Sequence, residues 1–198
     1  MSHTRIPYEN LKLLNRSFED GFKNKFNNFL DSGWYILGNE VAEFEREFAE
    51  YHNEKFVVGV ANGLDALILS LKCCNFKKGD EVIVPSNTYI ATVLAITAVG
   101  ATPVFAEPDI ETYNINPDLI QEKITPKTKA ILAVHLYGQS AEMDKINALS
   151  KKYGFRIIED ASHAIGGKYK GKSIGGCQYS DITVFSFHPV KIITTGEG

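Results

Sequence analysis

Short apolar, β-branched runs recur along the chain, each separated from the next by a stretch with helical spacing. This alternation limits the fold more than any other feature. Phe56–Val60, Glu81–Pro85, Pro103–Glu107, Ala130–His135, Arg156–Glu159 and Asp181–Phe187 have the length and composition of strands. Val41, Phe44, Phe48 and Tyr51 recur at three- and four-residue steps and put one apolar stripe on an entry helix. Leu64–Cys74 and Tyr89–Val99 read as buried helices, the second ended by Gly100. Asn116 is positioned to cap Pro117–Ile124, with proline at the first helical position. Ser140 is expected to cap a helix whose Met143, Ile146 and Leu149 face inward, and Gly154 to stop it. Strands separated by single helices predict an α/β fold of βαβ units, with a mostly parallel sheet covered by helices on both faces.

Composition excludes several classes. Hydrophobic residues make up 44% of the 198 and charged residues 23%, which suits a packed core and not a disordered chain. Lys and Arg number 21 against 24 Asp and Glu, a net charge of −3 with no long basic run, so no nucleic-acid partner is expected. Cys73, Cys74 and Cys177 form neither a disulfide framework nor a zinc spacing, and suit a reducing cytoplasm. Met1–Leu14 has no apolar signal-peptide core. Residues 82–106 carry no charged side chain, yet Pro85, Ser86, Asn87, Thr88, Gly100 and Pro103 interrupt them. A strand, loop, helix and second strand inside a soluble domain is predicted there, not a membrane span.

Such a sheet gathers ligands beyond the carboxyl ends of its strands, and four polar clusters fall there. Asn62-Gly63 between a strand and a helix aims free backbone N–H groups into the cleft, an anion site or an ordinary turn. Tyr89 opens a helix where its ring can stack on a flat ligand or pack on the core. Asp160, three residues before His163, can keep a heterocyclic nitrogen protonated or cap the following turn. Lys191 closely follows a strand, and a partly desolvated lysine there can form a Schiff base with an aldehyde; a surface lysine is the alternative. A phosphate-ready helix start, a flat ring, a carboxylate and a lysine on successive units are together the parts of a pyridoxal phosphate site.

The chain resembles the sugar aminotransferases of the DegT/DnrJ/EryC1/StrS family, a branch of the fold type I pyridoxal-phosphate enzymes. The resemblance runs from about Pro7 to Gly198. It is carried by Ser32-Gly33-Trp34-Tyr35-Ile36-Leu37-Gly38, Pro85–Thr92, Ile158–His163 and, above all, Phe185–Gly198. It implies that Lys191 is the catalytic lysine that binds the cofactor covalently and that Asp160 partners the pyridine nitrogen. His163 is then beside the phenolic oxygen and Tyr89 stacks on the ring. Gly63 and Leu64 are implied to bind the phosphate through backbone N–H groups, and Ser186 through its hydroxyl.

The resemblance also implies an activity: transfer of an amino group from L-glutamate to a nucleotide-linked keto-deoxysugar, with pyridoxal 5′-phosphate as cofactor, in a cytoplasmic homodimer. Asn62–Leu67 and His135–Gly138 are similar to members acting on 3-keto sugars, whereas His188–Thr195 is similar to members acting on 4-keto sugars. Two other readings are a pyridoxamine-phosphate sugar dehydratase, whose relatives have histidine in place of Lys191, and a non-catalytic regulatory protein. Family members are longer than this chain. Residues 1–198 are therefore expected to be the N-terminal segment and large cofactor-binding domain, with the small C-terminal domain missing. The resemblance puts a further strand beyond Gly198, between Asp181–Phe187 and Phe56–Val60.

Overall fold

The computed structural model describes residues 6–198; residues 1–5 of the expected N-terminal segment lie outside them. The chain opens with α1 (Leu11–Leu14), α2 (Glu19–Ser32) and α3 (Asn39–His52), then α4 (Gly63–Cys73). Next come β1 (Glu81–Pro85), α5 (Ile90–Ala98), β2 (Thr102–Ala106), α6 (Pro117–Lys123), β3 (Thr128–Val134), α7 (Met143–Tyr153) and β4 (Arg156–Asp160). The two-residue strands β5 (Lys168–Tyr169) and β6 (Lys172–Ser173) form an antiparallel hairpin before β7 (Ile182–Val184).

The main sheet is parallel throughout, in the order β2-β1-β3-β4-β7. Alternation along each strand divides its side chains between two cores, as the pleat requires. Val82, Val84, Ala130, Leu132 and Ile158 point to one face, where Leu67 and Leu71 of α4 and Ala95 and Ile96 of α5 cover them. Ile83, Ile131, Ala133 and Ile157 point to the other, against Ile120 of α6 and Met143 and Ile146 of α7. The expected α/β layering with helices on both faces is therefore present. The uncharged stretch 82–106 is β1, a turn, α5 and β2, and among the described residues no helix is long and apolar enough to cross a membrane.

Three expectations need correction. Phe56–Val60 is not a strand: it forms no ladder with any described strand, and Phe56 and Val58 are exposed. β-Branched and aromatic residues favour strands only where a neighbouring strand offers a pleated surface, and none of the described strands does so here. The Gly59 amide is instead satisfied by the Glu45 carboxylate of α3, at 2.7 Å. The Asp181–Phe187 run pairs with β4 only over Ile182–Val184. Asp181 turns its carboxylate onto the Ile157 amide, and past Val184 the chain leaves the ladder for the loop of Ser186 and Lys191. Ser140 does not cap α7. The cap position is Glu142, while the Ser140 hydroxyl donates to the Ala141 carbonyl and the Ala141 amide donates to His135. Asn116 and Gly154 behave as expected, the first capping α6 and the second ending α7 with φ 77°.

Candidate functional site

The four polar clusters lie past the carboxyl ends of β1, β4 and β7 and at the start of α4. Asn62 adopts an extended conformation and caps α4, its side-chain oxygen accepting from the Asp65 amide at 2.9 Å. A helix start leaves its first amides without intrahelical acceptors, and Gly63 and Leu64 have none among the described residues. Across from them stands Ser186. A Cβ built on Gly63 would be 3.0 Å from the Ser186 Cβ and 3.3 Å from its Oγ. Two free amides at the positive end of an eleven-residue helix thus adjoin a hydroxyl, in a recess that any side chain at position 63 would fill. That recess fits a phosphate.

Asp160 ends β4 and is buried. Its Oδ1 accepts from the Ser162 amide at 3.0 Å, which is the turn-capping role. Its Oδ2 accepts from the Thr92 hydroxyl at 3.3 Å. One oxygen capping a turn leaves the carboxylate its charge, and a charge held at a fixed strand end suits a protonated ring nitrogen. His163 and Lys191 both feel this carboxylate, and His163 also feels Lys191. Burial pushes the Lys191 ammonium below the ordinary lysine value, against the opposing pull of Asp160. Burial, and then the positive charge of Lys191, lower the His163 imidazole below 6.5, again against Asp160. An amine that sheds its proton more readily is a better nucleophile and proton carrier.

Lys191 is half-buried in a loop that folds back on itself: the Phe187 amide donates to the Gly198 carbonyl and the Thr195 amide to the Phe187 carbonyl. The turn before α5 carries Tyr89, which is 72% exposed and so is no part of the core. The site thus sets the free amides of Gly63 and Leu64 against Ser186 and brings together Asp160, His163 and Lys191. Tyr89 rises from the neighbouring strand end.

Sequence reasoning gave no role to four polar residues that support this arrangement. Thr92 and Thr88 share a hydrogen bond at 2.8 Å. His135 Nε2 and Glu159 Oε2 meet at 2.7 Å inside the protein, where the histidine is fully buried. The available signal was polarity out of place: a threonine in an apolar helix, and a histidine and a glutamate at the ends of apolar strands.

Comparison with known proteins adds to the geometry. A family model described as the DegT/DnrJ/EryC1/StrS aminotransferase family matches residues 17–198. The dTDP-3-amino-3,6-dideoxy-alpha-D-galactopyranose transaminase of Aneurinibacillus thermoaerophilus is 54% identical over 182 residues, which cover 92% of this chain and 50% of that protein. The X-ray structure of S. venezuelae DesV in complex with a ketimine intermediate matches with a TM-score of 0.93 at 43% identity, over 98% of this chain and 52% of that one. The crystal structure of ntda from Bacillus subtilis with bound cofactor PMP matches with a TM-score of 0.90 at 33% identity, over all of this chain and 44% of that one. The chain spans about half the length of the curated relatives it matches.

Proposed function

We propose, for a chain that belongs to the DegT/DnrJ/EryC1/StrS aminotransferase family, that the protein moves an amino group from L-glutamate to a keto-deoxysugar carried on a nucleoside diphosphate. Pyridoxal 5′-phosphate is the cofactor. The carrying observation is the recess between Gly63 and Ser186, beside the Asp160, His163 and Lys191 group. The relative named for a 3-amino sugar supports amination at C3. Half-length coverage of the relatives supports assigning residues 1–198 to the N-terminal segment and large domain of a longer protein. We assign that protein to the cytoplasm as a homodimer.

The cofactor supplies an aldehyde that captures amines and a protonated ring that accepts the electrons released at the donor's Cα. Each residue then has a defined task. The Gly63 and Leu64 amides and the Ser186 hydroxyl donate to the phosphate oxygens. Tyr89 would stack on the ring. Asp160, held by the Ser162 amide and the Thr92 hydroxyl, keeps the proton on the ring nitrogen. His163, whose imidazole burial holds below its ordinary value, would hydrogen-bond the ring's oxygen substituent. Lys191 would take the proton from the donor's Cα as general base and, as general acid, hand it to the carbon that was the cofactor's aldehyde, a role its burial-lowered basicity favours.

The test is incubation of the full-length protein with glutamate and candidate nucleotide-linked keto sugars, followed by product identification. Formation of 2-oxoglutarate and a 3-amino sugar supports the reading, and a 4-amino product corrects the position. No transfer from any amino donor refutes it.

A further inference from the structure

Two threonine hydroxyls connect the Tyr89 turn to the buried carboxylate of Asp160. Thr92 lies in the first turn of α5 and is 1% exposed. Its hydroxyl donates to Asp160 Oδ2, across 68 positions of sequence. A hydroxyl has a single proton to give. Having given it to Asp160, Thr92 accepts from Thr88, whose Oγ1 is 2.8 Å away. The direction of donation is therefore set: Thr88 to Thr92 to Asp160. Thr88 immediately precedes Tyr89, so the chain of hydroxyls begins at the turn that carries the exposed ring and ends on the carboxylate.

The same helix contains a contrast. A threonine in a helix ordinarily turns its hydroxyl back to a carbonyl of the preceding turn, and Thr97 does so, donating to the Leu94 carbonyl at 3.0 Å. The Thr92 hydroxyl has no such backbone bond among the described residues and gives its proton to the carboxylate at the end of β4. With Oδ1 held by the Ser162 amide and Oδ2 by Thr92, both oxygens are fixed and the plane of the carboxylate with them. A hydroxyl that is itself accepting a hydrogen bond is polarised and donates more strongly.

We infer that Thr92 and Thr88 are positioning residues of the site, which hold Asp160 in one orientation and in register with the Tyr89 turn for a flat, protonated heterocycle. This rests on the cofactor reading proposed above. Neither threonine touches the reacting atoms. Their effect passes through Asp160 and Tyr89.

The experiment uses the full-length protein, stripped of cofactor and titrated with pyridoxal phosphate, together with steady-state kinetics. Thr92→Val is expected to weaken cofactor affinity about tenfold and to lower kcat by a similar factor with the glutamate KM unchanged, as loss of one hydrogen bond to a charged group implies. Thr92→Ser, which restores the hydroxyl, is expected to return both values to within about threefold of the parent. Thr97→Val makes the same chemical change in the same helix and leaves cofactor affinity as it was. Thr88→Val, at a half-buried position, weakens affinity about threefold through the lost polarisation and serves if Thr92→Val fails to fold. Parent-like affinity in Thr92→Val or Thr88→Val overturns the inference, as does a Thr92→Ser as impaired as Thr92→Val. A parent that neither binds pyridoxal phosphate nor reacts with glutamate overturns the functional reading itself, and the inference with it.

Discussion

Gly63 and Ser186 approach so closely that a Cβ on the glycine would stand 3.0 Å from the serine Cβ. Gly63 is the first residue of α4 and is not in the left-handed region, so its lack of a side chain serves the recess and not the backbone. Alanine is the better helix former by about 1 kcal/mol in a helix interior, which favours α4 or leaves it unchanged. Its methyl group, however, would enter the space between the two amides and the hydroxyl. Gly63→Ala is expected to keep the melting temperature of the cofactor-free protein and to weaken cofactor binding by roughly tenfold, about 1.4 kcal/mol. Calorimetry and a cofactor titration check the two halves. Unchanged affinity would remove the phosphate from this recess.

His163 reports on Lys191. Burial lowers the imidazole first and the Lys191 charge lowers it further, while Asp160 raises it. Lys191→Met removes one of the two depressing causes, so the midpoint of the His163 ring in the cofactor-free protein should move up. The stability consequence has a definite sign. A histidine whose folded value lies below its unfolded value of 6.5 binds its proton less readily when folded. Its stabilising contribution is complete above that unfolded value and is lost as pH falls from there to the folded value. Lys191→Met should make this acid-side loss shallower. Ring-proton NMR titration and melting curves across the same pH range test both, and a midpoint that does not rise separates the two residues.

Much of this layout was legible because local and long-range signals agree. β1 and β4 are apolar runs that alternate between two buried faces, and Asn116-Pro117 starts α6 because cap and fixed φ act within one turn. Phe56–Val60 misled because its residues are strand-like while its pairing depends on a neighbour that composition does not reveal. Ser140 lost its capping role to a contact six residues away, where the His135 ring fixes the Ala141 amide. α2 went unread although Phe22, Phe26 and Phe29 recur at helical steps. The site's polar clusters were readable from their strand ends, but the Thr92–Asp160 bond spans 68 residues and has no local signature.

Asp160→Asn separates charge from shape. Asparagine fills the same volume, and its side-chain oxygen can still accept from the Ser162 amide, so the turn after β4 should persist. A neutral amide cannot stabilise a positive ring nitrogen as the carboxylate does. One hydrogen bond to a charged group contributes about 1.5–3 kcal/mol, so turnover should fall roughly 10- to 150-fold with little change in melting temperature. Turnover close to that of the parent would leave Asp160 with its turn-capping role alone.

Lys191→Ala should abolish covalent capture of the cofactor. Borohydride reduction of the cofactor-loaded parent should fix it on Lys191, read by peptide mass mapping. The burial that lowers this amine's proton affinity sets it apart from the exposed Lys168 and Lys172 of the hairpin. A label on any other lysine would break the assignment.

The last test concerns the buried pair beneath the site. His135 Nδ1 accepts from the Ala141 amide at 3.1 Å, so the ring carries its proton on Nε2 and donates it to Glu159 Oε2 at 2.7 Å. Both side chains are buried, and each satisfies a group that would otherwise be stranded. His135→Phe leaves a buried carboxylate without its donor and a buried amide without its acceptor, a loss of about 3–5 kcal/mol. Glu159→Gln keeps a carbonyl oxygen to accept from Nε2 and should cost about 1 kcal/mol. His135→Phe with Glu159→Leu removes the charge along with its partner and should recover much of the first loss. The damage also reaches the site. The loop that His135 holds includes Gly138, where an added Cβ would stand 3.1 Å from the His163 carbonyl. In denaturant melts the order of stability should therefore be parent, Glu159→Gln, the double variant, then His135→Phe, with His163 shifted in the NMR spectrum of the last. A His135→Phe protein as stable as the parent would show that the pair is dispensable to the fold.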